Sequence, residues 1–438
     1  MIEVIPVGGF GEIGRNSCII QYKDQAVMLD FGLHMEHYIN LQNRLDRSPS
    51  QKELIASESV PKYDKVKDKV KNLKGICFTH AHLDHIGAAK YFVKDFDVPM
   101  YGTPFTTEVL KAIFKDSRIR DHPPIKRQPL DSKVSVSKDI DVEFISMTHS
   151  VPHSAALAVH TPDGTVVYTP DFKLDNAPTL GKRPNYEALK GLKNVKALML
   201  DSLYGKESGK SPSESVAREM LRDVLLGTTT DGSNIVATTF SSQIARLKTI
   251  IELAEDIGRK PVVIGRSLAK YIDAAKRANV IDLERRTDDL VRYGGAVEKY
   301  FKHNKNTKDK LFIVTGHQGE PNAVLSRLVN DDIFPFEEGD AVVFSCHVIP
   351  GEQNIRQRDN LEKALEEKGA RIYKDVHSSG HARKEDEREL INMLTPEKVI
   401  PVHGDMERNG AVRNLAREMG YSDENVHLLQ NAEVLQID

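Results

Sequence analysis

The sequence predicts an α/β protein in which a layered unit of short strands covered by helices is interrupted by an inserted unit with a parallel α/β sheet. Three observations predict it. Residues 1–205 carry short β-rich runs bounded by Gly, Pro, Asp or Asn, residues 206–374 alternate helix and strand, and residues 375–438 return to the short-strand style. At 438 residues the chain also exceeds one ordinary core, so two compact units are expected.

In the first segment the strands are "MIEVIPV", "SCIIQY", "QAVMLD", "GICFTH", "VEFISMTH", "TVVYTPD" and "ALMLDS". Helical periodicity intervenes at "IGAAKYFVKDF" and "PFTTEVLKAIFKD". The middle segment alternates "SPSESVAREMLRDVLL", "SNIVATTF", "SQIARLKTIIELAEDIG", "PVVIG", "SLAKYIDAAKRA", "LFIVTG", "AVVFSC" and "NLEKALEEKGA", the pattern of a parallel sheet with helical crossovers. The last segment opens with "RIYKDV" and "KVIPVHG" and ends on a final pair of short runs. The charged stretch "VPKYDKVKDKVKNLK" reads as solvated helix or loop surface.

Composition narrows the class. No apolar run approaches the roughly 18 residues needed to cross a bilayer, and the N-terminus lacks a secretory signal pattern, so a cytoplasmic protein without membrane contact is expected. Cys18, Cys77 and Cys346 are far apart with no CxxC partner, which argues against a disulfide framework or a thiolate metal site. A net charge of -3 gives no general basic surface, so nucleic acid would have to be handled in a local groove.

The first turn, "PVGGFGEIGRN", holds a literal GxGxxG at Gly9, Gly11 and Gly14, with Asp30 near the distance of a ribose-binding acid. A dinucleotide site needs a helix opening at the third glycine. The following "RNSCIIQYKDQAVML" reads instead as two strands around the turn "YKDQ", leaving a tight glycine turn beside a site.

The chemistry concentrates in "CFTHAHLDHIGAA", where His80, His82, Asp84 and His85 fall within six positions. Imidazole nitrogens and carboxylate oxygens bind zinc-like ions at about 2.0–2.2 Å. His80 and His82 point the same way if the backbone stays extended, and Asp84 and His85 fall in the turn that opens a helix. Two pairs aimed from one loop suit two metals, which need a bridging carboxylate and further histidines. Strand ends supply them at His149, Asp171 and His403.

The ordered set "LDFG", "THAHLDH", "MTHS", "YTPD" and "PVHGD" resembles the metallo-β-lactamase superfamily. Asp201 in "LMLDSLYG" and His381 in "HSSGHA" resemble motifs of its β-CASP family. "GGFGEIGRN", "TGHQGEP", "VIPGEQN" and "HSSGHA" together resemble the ribonuclease J branch, over nearly the whole chain. The resemblance implies an αββα sandwich, residues 1–205 with a return segment at 375–438, interrupted by a mainly parallel β-CASP domain at 206–374. It implies that His80, His82 and His149 hold one metal, Asp84, His85 and His403 the other, and that Asp171 bridges. His149 is preferred over His153 because it directly ends its strand. Asp30 would orient the ligand loop rather than bind metal.

The resemblance further implies two divalent ions, zinc first and manganese as the alternative, with single-stranded RNA as substrate and a homodimer of the archaeal type. His381, Asp201 and Asp84 would be catalytic, with His381 donating a proton or hydrogen bond and Asp201 orienting it. "HSSG", with His377, Ser378, Ser379 and Gly380, and "FSSQ", with Ser241 and Ser242, would hold a 5′-terminal phosphate. The expected activity is 5′-to-3′ exonuclease action on monophosphorylated RNA; internal cleavage, a small-molecule metallohydrolase and a non-catalytic RNA-binding module are the alternatives. The chain departs from the family pattern at Pro170, where glycine is usual, at His153, where Asp is frequent, and at His317 and His347, where small hydroxyl residues are more familiar.

Overall fold

Alternation along the strands decides which side chains meet. In the strand Ala155–Thr161, Leu157 and Val159 turn into one apolar core while Ala156 and Ala158 turn into another. Both faces of this strand are therefore covered, one by a second sheet and one by helices.

The computed structural model describes residues 1–438 except 46, 229–231 and 350, so one residue of "VIPGEQN" lies outside the described residues. The chain forms two compact units, the first comprising Met1–Asn176, Lys182–Ser211 and Gly380–Asp438, the second Ala177–Gly181 and Pro212–Ser379. In the first unit a seven-stranded sheet runs in the order Leu435–Ile437, Ile2–Gly8, Ser17–Tyr22, Gln25–Leu29, Leu73–Phe78, Met100–Gly102, Ile125–Arg127. Its first four strands pair antiparallel, and each pairing from Gln25–Leu29 onward is parallel. A six-stranded sheet runs Lys398–Val402, Val195–Asp201, Gly164–Thr169, Ala155–Thr161, Asp141–Ser146, Ser132–Ser135.

The shared core between these sheets includes Ile20, Val27, Phe144, Leu157, Val166, Met199 and Ile400. The far face of the six-stranded sheet packs Leu198, Leu200 and Val399 against Leu390, Ile391, Val412 and Leu415 of the helices Lys384–Leu394 and Met406–Glu418. With the helix Pro104–Asp116 packed against Met100–Gly102 and Ile125–Arg127 of the seven-stranded sheet, the layers make the expected αββα sandwich. Full burial of each such aliphatic side chain contributes roughly 1.5–3 kcal/mol.

The second unit holds a six-stranded sheet, parallel throughout, in the order Asp289–Val291, Lys260–Ile264, Lys310–Val314, Ile235–Thr238, Ala341–Phe344, Arg371–Tyr373. "RIYKDV", grouped by its sequence with the returning short strands, thus supplies the last strand of this sheet.

Two local expectations meet different outcomes. Gly9, Gly11 and Gly14 all take positive φ, and the chain continues from them into the antiparallel pair Ser17–Tyr22 and Gln25–Leu29, not into a helix. "IGAAKYFVKDF", expected as one helix, is a four-residue helix Leu83–Ile86 followed by a single 3-10 turn Ala89–Tyr91. Tertiary contacts override the periodicity: the Ala88 N–H donates to the Phe31 carbonyl, and Phe92 and Phe96 set their rings edge-on to Phe31 at 5.0 and 5.1 Å. No helix among the described residues is long and apolar enough to cross a membrane. Truncating Leu157 to Ala removes an inter-sheet contact from a fully buried position; it should destabilise the first unit by about 2–5 kcal/mol, read as a lower denaturant midpoint.

Candidate metal centre

The ligand loop is hung on the segment that follows the strand Gln25–Leu29. Phe31 N–H donates to the His85 carbonyl at 2.7 Å, Leu33 N–H to Leu83 at 3.0 Å and Asn16 N–H to Asp84 at 2.9 Å. The approach is close enough that a Cβ on Gly32 would lie 1.6 Å from the Asp84 carbonyl oxygen. On the opposite side His403, at φ +59, donates its N–H to the Gly9 carbonyl at 2.7 Å. A Cβ on Gly9, also at positive φ, would strike the Asn16 side-chain oxygen at 2.4 Å. The glycine turn is therefore part of the site, giving Asn16 passage to His403.

The hydrogen bonds on the outer ring nitrogens decide what the inner ones carry. Asp30 is completely buried and accepts from Thr79 N–H and Thr79 Oγ1, both at 2.8 Å, and from His85 Nδ1 at 2.8 Å. With its own proton given to Asp30, Thr79 Oγ1 accepts from His80 Nδ1 at 2.9 Å. His149 Nδ1 donates to the Gly380 carbonyl at 2.7 Å and His403 Nδ1 to Asn16 Oδ1 at 2.8 Å. His82 is reversed, with Nε2 3.3 Å from Ser150 Oγ and Nδ1 turned inward. The acceptors opposite the outer nitrogens of His80, His85, His149 and His403 keep a proton there, so in each neutral ring the inner nitrogen presents a lone pair, and His82 turns its Nδ1 toward the same point.

These lone pairs converge. His82 Nδ1 lies 3.1 Å from His80 Nε2 and 3.2 Å from His149 Nε2, and Asp171 Oδ2 lies 3.5 and 3.4 Å from the latter two. A tetrahedral ion with bonds of about 2.0–2.1 Å spaces its ligands about 3.3–3.4 Å apart, so the four atoms fit one cation. The other Asp171 oxygen, Oδ1, is buried without a hydrogen-bond partner and lies 3.0 Å from His85 Nε2. His85 Nε2 is 3.6 Å and His403 Nε2 4.0 Å from Asp84 Oδ2, which makes Asp84, His85 and His403 a second group able to hold a cation. Asp171 turns one oxygen to each group. His153 is not among the converging residues.

Charge follows the same division. Burial pushes the imidazole of His82 down to about 3 and that of His149 well below its ordinary value, keeping both neutral ligands. Burial opposes charge on His85 as well, but Asp171, Asp84 and Asp30 outweigh it and hold the ring well above the usual range. Asp171 stays ionised against its burial because His85, His403 and His381 surround it. Carboxylates at this density draw positive charge, whether as proton or as divalent cation.

His381 stands beside these groups, with Nε2 3.6 Å from Asp171 Oδ2 and its ring parallel to that of His403 at 5.5 Å. Its Nδ1 donates to Asp201 Oδ2 at 2.8 Å. Asp201 is fully buried and fixed by the Leu203 N–H on its other oxygen at 2.9 Å. Burial works against charge on His381, yet Asp201 and Asp171 carry its pKa up to about 9.

Of the remaining expected residues, Gly380 meets this centre through its carbonyl, which accepts from His149 Nδ1. Gly380 belongs to the first unit, whereas His377, Ser378, Ser379, Ser241 and Ser242 belong to the second. There the carboxyl ends of neighbouring parallel strands, where open α/β sheets bind ligands, gather Phe240, His317, His347 and His377. The Phe240 ring is 4.3 Å from His317 and 6.5 Å from His377, and His347 is 4.5 Å from His377. Buried Arg246 lies 3.3 Å from His377 Nδ1 and donates to the Val376 carbonyl at the same distance. The Ser378 hydroxyl is committed to the Pro212 carbonyl and Ser241 pairs with Ser267 at 2.8 Å. Asn16, Thr79 and Ser150, which hold the rings of the candidate metal centre, lie inside the motifs "GGFGEIGRN", "THAHLDH" and "MTHS", but had no role assigned to them from the sequence.

Comparison with known proteins bears on the same geometry. Residues 10–203 match the family described as metallo-beta-lactamase superfamily, residues 232–359 the ribonuclease J beta-CASP domain, and residues 367–429 the Zn-dependent metallo-hydrolase RNA specificity domain. The chain is similar to the ribonuclease J of Pyrococcus abyssi, at 38% identity over 100% of this chain and 97% of that protein. It is similar to that of Methanocaldococcus jannaschii at 37% identity, covering 100% and 99%. A crystal structure of an Enterococcus faecalis protein of unknown function shares the fold, with a TM-score of 0.69 at 19% identity and coverage of 100% and 99%.

Replacing Asp30 with Ala removes the acceptor that fixes His85 directly and His80 through Thr79. Metal affinity should fall about 10–100-fold, measured by competition with a chromophoric chelator, while the strands on either side keep the fold.

Proposed function

The chain belongs to the ribonuclease J family and is a metal-dependent ribonuclease, and from that premise we propose that it removes nucleotides stepwise from the 5′-monophosphorylated end of single-stranded RNA. The observation that carries the reading is the juxtaposition of converging metal ligands with the His381–Asp201 pair.

We take the two ligand groups to hold two divalent cations, zinc by the match to a Zn-dependent domain family, with manganese accepted by the same nitrogen and oxygen donors. Bound there, the cations supply a hydroxide nucleophile near neutral pH and neutralise charge on the phosphate under attack. The chain does the rest. The hydrogen bonds from Thr79, Asp30, Asn16 and the Gly380 carbonyl fix the ligand rings before substrate arrives, so none of their reorganisation is left to the reaction. Asp201 fixes the ring plane of His381 and keeps its Nδ1 protonated, leaving Nε2–H to donate to the phosphate oxygen that gains charge or to the departing oxygen. Loss of that proton to the leaving group would return His381 to a neutral ring still held by Asp201.

Selection of a 5′-monophosphate is assigned to the carboxyl ends of the parallel strands in the second unit, with His377, Ser379 and Ser241 as donors. Ser378 serves instead to hold the turn, because its hydroxyl is used by Pro212. The same proposal has the chain act as a homodimer in the cytoplasm.

RNA labelled at either end and carrying a 5′ monophosphate, triphosphate or hydroxyl tests the reading. Mononucleotides should be released from the monophosphate substrate and abolished by chelator; fragments of intermediate length would indicate internal cleavage instead. His381→Ala should lower kcat by about 10²–10⁴-fold with metal content unchanged. Ser379→Ala should reduce the preference for monophosphorylated ends with metal content intact, and an unaltered preference would remove Ser379 from the phosphate site.

A further inference from the structure

The stretch from Lys111 to Arg127, "KAIFKDSRIRDHPPIKR", holds six cations against two carboxylates in a chain whose net charge is -3. The fold gathers part of it into a cleft of about 480 Å³ in the first unit, lined by Lys111, Lys115, Arg118 and Arg120 together with Phe114 and Ile119. Lys111 is paired with Glu108 at 3.0 Å. Lys115, Arg118 and Arg120 are exposed, and no side-chain ion pair or hydrogen bond engages them among the described residues. Lys115 sits in the last turn of the helix Pro104–Asp116, where a cation complements the helix dipole. Arg118 and Arg120 lie beyond the helix end, so that account does not cover them.

Topology sets this cleft away from the metal ligands. The helix leaves the carboxyl end of the strand Met100–Gly102 and returns toward the amino end of its parallel neighbour Ile125–Arg127. The ligand loop follows the carboxyl end of Leu73–Phe78, which runs parallel to Met100–Gly102. The cleft is thus at the other end of the layer, separated by a 13-residue helix about 20 Å long.

We propose that this cleft is an accessory docking site for single-stranded RNA, binding backbone phosphates through Lys115, Arg118 and Arg120 with a base laid over Ile119 and the half-buried ring of His122, which the buried Phe114 backs at 4.9 Å. An apolar floor beneath a rim of unpaired cations fits a nucleotide, which offers both a flat apolar face and a phosphate. The proposal rests on the ribonuclease reading and adds a length requirement to it: only RNA extending several nucleotides past the reacting end reaches the cleft.

The test compares wild type and the triple variant K115Q/R118Q/R120Q on 5′-monophosphorylated oligouridylates of about 4 and about 30 nucleotides. All three positions are exposed surface, and turnover of the short substrate reports that the metal centre is intact. Three lost phosphate contacts at a slope of about 0.7 each should flatten the dependence of log affinity on log salt by about 2 for the long RNA. KM for the long RNA should rise at least about tenfold near 0.1 M salt, with kcat and the short substrate unchanged. Equal KM and equal salt slope for the two proteins on the long RNA would overturn the docking site. Failure of wild type to cleave either RNA would instead overturn the ribonuclease reading itself.

Discussion

Both groups of the candidate metal centre are tied to one buried carboxylate, Asp30. It sits where the strand Gln25–Leu29 ends, in a left-handed backbone conformation, and receives the Thr79 N–H, the Thr79 hydroxyl and His85 Nδ1. Through the hydroxyl its influence reaches His80. One residue of each proposed cation group is therefore oriented from a single point, and the tautomers of both are set by it. A buried charge is tolerated only when its oxygens are occupied, and here donors from the ligand loop occupy them. The stability of Asp30 in the interior and the order of the loop are the same fact.

The site also shows how one set of groups serves two electrostatic demands. Burial pushes the pKa of His82 and His149 down, which suits the proposed ligands, whereas Asp201 and Asp171 push that of His381 up, which suits the proposed donor. The difference arises from placement: His149 donates to a neutral carbonyl, and His381 donates to a carboxylate. Ring contacts of about 5 Å between His149 and His381 bring these opposite shifts side by side.

Much of this was legible in the sequence because strand-end polar residues mark a sheet edge where loops carry chemistry. His80, His82, Asp84, His85, His149, Asp171 and His403 all fall just beyond apolar runs, whereas the strand Ala155–Thr161 was not singled out and its two covered faces appear only in the fold. What was not legible depends on partners distant in the chain. The helical periodicity of residues 86–96 gave way because Phe31 captures the Ala88 N–H and two aromatic rings. The commitment of Ser378 to the Pro212 carbonyl spans 166 positions, and no local pattern foretold it. The reversal of His82, which turns Nδ1 inward, likewise follows from Ser150 across 68 positions.

The central claim is that the two ligand groups, joined by Asp171, hold two cations. Counting bound metal on the purified chain by elemental analysis, with anomalous scattering to locate each ion, tests it most directly. The account predicts two divalent ions per chain, one among His80, His82 and His149 and one among Asp84, His85 and His403, with Asp171 between them. A single ion at saturation, or ions held elsewhere, would contradict it.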